Sequence, residues 1–371
     1  MKSLYEYILG TYLLLPSASP LDKSSLKIVS ETDFDKLIDN ENECLRLISS
    51  VLEFDTLKGA INRNYASHIV LTYLLGVALK DVFAFSESAT DFHKMFGSEL
   101  WLKSAMLHDY GYFRSEIGQT NLRLCELTEG YDLFTDFYVG DMLACLNGMS
   151  ENSDYECYFS YSYDEIKNYY AFSRSFHESR GKAVKGERAD HGIVGAAIAF
   201  RKYCAEMAAN TEDDIEYNDI TLIIQKIACI IAASHNIFKS KNLAEDIVYN
   251  KYGLNALTTT TEGRVTRKNE LLFRLALADT VECTKLFNKT SGRESYIPPS
   301  TVLRLTDIEC GEGRVLIDYG RLREYILKEK KSEKAADALD SHIASLLKLS
   351  RWTEYNAQTA GTPYAAIITL K

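Results

Sequence analysis

Five prolines stand in the 371 residues, at Pro16, Pro20, Pro298, Pro299 and Pro363, and none falls between Leu21 and Ile297. Proline lacks a backbone donor and clashes with the preceding turn, so it breaks helix interiors. A span this long without it permits many long helices. The apolar spacing agrees. Leu37, Ile38, Cys44, Leu45, Ile48 and Leu52 recur near helical intervals, as do Ile220, Ile223, Ile224, Ile227, Ile230 and Ile231. Residues 1–297 are therefore expected to form an α-helical body.

The texture changes at Tyr296-Ile297-Pro298-Pro299-Ser300. Beyond it, Thr301–Leu305 and Arg314–Tyr319 read as two strands around a glycine turn at Gly311-Glu312-Gly313. Leu322–Trp352 reads as helix and Tyr364–Leu370 as a last strand. The expected fold class is mainly α, a helical core over 1–297 followed by a small α+β module over 300–371. Within the core, residues from about 110 to 185 are rich in tyrosine and acidic residues. They read as an insertion, either amphipathic helix covering the core or a lid whose aromatics stack on a ring. His177–Arg188, HESRGKAVKGER, reads as a mobile basic loop.

Charge and cysteine usage narrow the class. A net charge of −10 argues against a broad phosphate-binding surface for duplex nucleic acid, while leaving room for a local basic pocket. None of the eight cysteines stands at C-x-x-C spacing, so a zinc knuckle is not expected. They read as buried reduced thiols of a cytoplasmic protein. The N-terminal run MKSLYEYILGTYLLLP carries Glu6 and a single early Lys, and does not read as a signal peptide. The apolar window Ile69–Leu79 is too short to span a bilayer. No membrane partner is expected, and self-association is left open.

Chemistry concentrates in a few histidines. The stretch Ala105-Met106-Leu107-His108-Asp109-Tyr110-Gly111 ends an apolar run in an adjacent His-Asp pair. Imidazole and carboxylate together suit zinc, iron, manganese or nickel. His68, His191 and His235 sit in similar small or apolar settings, and Asp279 lies in Leu275-Ala276-Leu277-Ala278-Asp279. A charge in an alanine–leucine helix should be exposed or paired, because burying it alone is costly.

The order His68, His108-Asp109, His191, His235, Asp279 resembles the HD-domain superfamily of metal-dependent phosphohydrolases. The resemblance spans 68–279. The run Asp190-His191-Gly192-Ile193-Val194-Gly195-Ala196 adds to it, since glycines there let helices pack closely behind a ligand. The resemblance implies metal ligands at His68, His108, Asp109, His191, His235 and Asp279. Asp109 would bridge two divalent transition ions (Fe, Mn, Ni or Zn). It would share one with His68, His108 and Asp279 and the other with His191 and His235. It further implies a phosphohydrolase or phosphodiesterase using metal-activated water on a small phosphorylated substrate, a nucleotide or nucleotide-like phosphoester.

A phosphate would need cationic partners. Arg188, Lys185, Lys182 and Arg63 are the candidates. The chain departs from the family at Tyr112, where many two-metal relatives carry a lysine; Tyr112 and Arg114 are candidate supports. A di-iron oxygenase on the same scaffold and a non-catalytic nucleotide sensor are the alternatives. His93 and His342 read as ordinary surface or helix-end residues.

Overall fold

A computed structural model describes residues 1–14, 30–53, 65–83, 91–111, 270–287, 296–349 and 355–370, with isolated positions between 192 and 235 that include Gly192, Gly195 and His235. The fold is mainly α with a small C-terminal antiparallel sheet. Two compact units are present, Met1–Glu87 with Arg274–Lys371, and Ser88–Phe273.

In the first unit, β1 (Lys2–Ser3) leads into α1 (Leu4–Leu13). Ser3 and Glu6 close a capping box at that junction. The helix turns Leu4, Tyr5, Ile8 and Tyr12 inward. Helices α2 (Glu31–Ile38) and α3 (Glu41–Leu52) follow, capped by the side chains of Ser30 and Asn40. Helix α4 (Tyr65–Leu79) differs from these. It is apolar on every face, and Tyr65 through Gly76 are buried without exception. A helix with no polar stripe belongs at the centre of a core.

Two acids from the α2–α3 junction cap other helices. Glu41 accepts the Ala66 N–H at 2.6 Å and the Ser67 N–H at 3.1 Å, at the N-terminus of α4. Asp39 accepts the Ser300 N–H at 2.8 Å, at the start of α7 (Pro299–Leu305). A carboxylate there satisfies orphan donors and faces the positive end of the helix dipole. Burial nevertheless raises both pKa values, that of Glu41 to about 7, with the donated hydrogen bonds pulling the other way.

The C-terminal sheet has the order β1-β2-β3-β5-β4, antiparallel throughout. Its strands are β2 (Asp307–Gly311), β3 (Arg314–Asp318), β4 (Tyr355–Ala360) and β5 (Thr362–Leu370), with β1 at one edge. Ile308, Val315, Ile317, Ala366 and Ile368 alternate onto one buried face. Helices α8 (Gly320–Lys328) and α9 (Glu333–Leu346) bury Leu322, Ile326, Leu339, Ile343 and Leu346.

Three local expectations need correction. Thr301–Leu305 is helix, not strand: Pro299 sits in the first turn with its angle preset, and burial of Val302 and Leu303 overrides their β propensity. The first strand begins instead at Asp307. The single helix expected over 322–352 is two, divided at Lys331, whose φ of 50° no helix accommodates. Strand β4 was not anticipated.

The second unit contributes α5 (Asp91–Leu107), while α6 (Glu270–Val281) carries Asp279. The insertion expected at 110–185 lies outside the described residues beyond Gly111. Among the described residues, no helix is long and apolar enough to cross a membrane, and Cys44, Cys229 and Cys283 are buried free thiols.

Candidate metal centre

His68 sits one turn into α4, on the buried stretch of the helix that Glu41 caps. Its Nδ1 contacts a Glu282 carboxylate oxygen, and its Nε2 lies 2.9 Å from Asp279 Oδ1. All three side chains are buried to within 1%. Glu282 is itself held, accepting the Thr284 N–H at 2.7 Å. Lys285, on the 3-10 turn Thr284–Leu286, places its ammonium 2.5 Å from Asp279 Oδ1 and 3.0 Å from His68 Nε2. Burial and the Lys285 charge press His68 towards the neutral form. Glu282 and Asp279 press harder the other way, and its pKa is raised. Their charges make this a place that attracts a cation.

Within the second unit, His108 and Asp109 lie just past the end of α5. The Nδ1 of His108 reaches the Ala105 carbonyl at 2.6 Å, and the Nδ1 of His235 reaches the Ala232 carbonyl at 2.6 Å. A carbonyl can only accept, so each ring donates from Nδ1, and in the neutral tautomer this selects the lone pair falls on Nε2. Those Nε2 atoms stand 3.7 and 3.4 Å from the two oxygens of Asp109. The rings meet edge to face with centroids 5.2 Å apart. Spacings of 3.4–3.7 Å are long for an imidazole–carboxylate hydrogen bond. The 3.4 Å spacing falls in the range of roughly 3.0–3.5 Å expected for two donors to one ion, and the 3.7 Å spacing lies slightly beyond it.

Glycine makes the approach in this unit feasible. A Cβ on Gly192 would sit 2.6 Å from the Ala232 carbonyl and 2.7 Å from the His235 ring. One on Gly195 would meet the Gly111 nitrogen at 2.7 Å. These are the glycines of the His191 stretch, and they pack directly behind His235 and the turn that follows Asp109.

His68, His108, Asp109 and Asp279 form a buried group able to hold a metal ion, one ligand atom of each lying within 4.8 Å of the others. The nitrogen and carboxylate donor set fits a divalent transition ion. Of the other expected residues, His235 stands beside Asp109 as described. His191, Arg188, Lys185, Lys182, Arg63, Tyr112 and Arg114 lie outside the described residues.

Sequence reasoning missed Glu282 and Lys285. Glu282 follows Asp279 by three positions, a spacing that puts two residues on one helix face, and this signal was available. It also misplaced His342. That residue is buried in α9, its ring edge-on to Tyr319 with centroids 5.8 Å apart. Burial and the nearby Lys285 charge lower its pKa to about 4. The Tyr319 hydroxyl in turn donates to the Val281 carbonyl at 2.8 Å, tying the C-terminal module to the end of the helix that carries Asp279.

No protein-family model, curated protein or solved structure matches this chain.

Proposed function

We propose that the chain is a metal-dependent phosphohydrolase of the HD type, acting on a nucleotide or nucleotide-like phosphoester. The observation that carries this reading is the buried four-residue group of His68, His108, Asp109 and Asp279. Burying two carboxylates beside two imidazoles is costly unless cations offset them, and Lys285 reaches only Asp279 Oδ1 and His68 Nε2 among the contacts described for it. His68, His108, Asp109 and Asp279 would hold one divalent ion. With Asp109 shared, His235 and His191 would hold a second.

When bound, such ions supply Lewis acidity towards a phosphoryl oxygen and lower the pKa of water. The chain's own part is to aim the donors. Glu282 fixes the ring of His68, while the Ala105 and Ala232 carbonyls fix His108 and His235. The apolar surroundings of α4 keep bulk water away, which strengthens each charge interaction inside. Arg188, Lys185, Lys182 and Arg63, with Tyr112 and Arg114, remain the proposed partners of the phosphate.

The test is Asp109→Ala. Metal content and hydrolysis of a nucleotide panel should both be lost, and metal-dependent turnover by this variant would sink the assignment. Running the panel without oxygen separates hydrolysis from oxygenase chemistry, which would show itself as oxygen consumption.

A further inference from the structure

The geometry points to Lys285 as an internal competitor of the metal ion at the His68–Asp279 half of the site. This rests on the metal-centre reading above and adds to it a residue that controls how tightly the ion is held.

The ammonium lies 2.5 Å from Asp279 Oδ1 and 3.0 Å from His68 Nε2. Those two atoms are themselves 2.9 Å apart, so one cation contacts both. In the neutral ring whose Nδ1–H is turned to Glu282, the lone pair lies on Nε2, and an ammonium hydrogen meets the same lone pair an ion needs. It likewise takes Oδ1 of Asp279, one of the two carboxylate oxygens that this residue can offer an ion. One orbital cannot serve both, so ion binding at these atoms requires Lys285 to withdraw. The side chain can do so: it is 20% exposed, whereas Asp279 is 1% exposed, and a lysine carries its ammonium on a flexible four-carbon stem.

Both cations answer the same pair of acids. Asp279 and Glu282 are buried acids on either side of the His68 ring. Lys285 offsets one of them in place of an ion. Its charge-assisted hydrogen bonds must be given up when the ion enters, and each is stronger than a neutral one. The chain thus carries its own reference cation, and only an ion that outbids it is retained.

The experiment uses the full-length chain and Mn2+ or Zn2+ alone, with affinity read by competition against a coloured chelator. Lys285→Met removes the ammonium and keeps the length of the stem. It should bind the ion more tightly than the wild type, on the order of tenfold or more. Lys285→Arg keeps a cation and should stay near the wild type. Equal or weaker binding by Lys285→Met would overturn the proposal, since Lys285 would then be neutral towards the site or a support for it. A wild-type measurement stands beside this in case the variant folds poorly. Acetylation of Lys285, followed by peptide mass spectrometry, should speed up several-fold when metal is added. An unchanged or slower rate would refute withdrawal. If the wild type binds no ion at all, the metal-centre reading itself falls and this proposal falls with it; if it binds one and Lys285→Met changes nothing, only the competition is wrong.

Discussion

Replacing Glu282 isolates what keeps His68 aimed. The carboxylate is fully buried. One oxygen faces His68 Nδ1, and the other accepts the Thr284 N–H at 2.7 Å. Alanine takes away both acceptors, each loss costing about 1–3 kcal/mol in a buried setting. Glu282→Ala is therefore expected to lose about 2–6 kcal/mol of stability. Glutamine keeps the size and one acceptor, and gives up the charge. Glu282→Gln should fold close to normally while relaxing the hold on the imidazole. Outer partners of metal-bound histidines are worth roughly 10–100-fold in metal affinity, or about 1.4–2.7 kcal/mol. Chelator competition with Mn2+ or Zn2+ measures the second effect, and thermal melts followed by circular dichroism measure the first. Wild-type metal affinity in a well-folded Glu282→Gln would refute the view that this carboxylate orients His68.

Three further outcomes are expected. Gly195→Ala places a Cβ 2.7 Å from the Gly111 nitrogen, so the turn after Asp109 must shift. About 1–3 kcal/mol of overpacking should appear as a lowered melting temperature together with weakened metal binding, and an unchanged melt would contradict the tight packing. Glu41 has a folded-state pKa raised to about 7 from 4.5, so the folded chain binds its proton more tightly than the unfolded chain. Its contribution is complete below pH 4.5 and declines as pH rises to 7, by something on the order of 3 kcal/mol. Glu41→Gln should flatten that part of the stability-versus-pH curve, and an unaltered slope in denaturant titrations would exclude the role. Tyr319→Phe deletes the hydrogen bond to the Val281 carbonyl and should cost about 1 kcal/mol, which urea unfolding can register; no loss would mean that this tie contributes nothing.

Much of the candidate cluster was readable because it was carried by residue type in a local setting. His68 and Asp279 stood out as polar groups inside apolar helices, where burial alone is unfavourable. The Gly192 and Gly195 pair signalled a close approach, and each now faces a contact under 3 Å. Lys285 was not readable: six residues past Asp279, in a polar run after the helix, it looks like any surface lysine. His342 was misjudged for a related reason. Its helix is amphipathic, but which positions are covered depends on the sheet and helices packed around it.

What the sequence by itself determined is the helical class, the change of texture near 298, and the residue types able to bind an ion. These follow from short-range rules, the helical period and the cost of burying a lone charge, which act within a few residues of each position. Tertiary structure alone decided the pairings. Lys2 and Ser3 become a strand because Ile308 and Asp307 lie alongside them. Helix α4 is capped by Glu41, 25 residues upstream of Ala66. His68 meets Glu282 across 214 residues. Such contacts form only after long loops close, and no local pattern records which distant partner the closed loop will present.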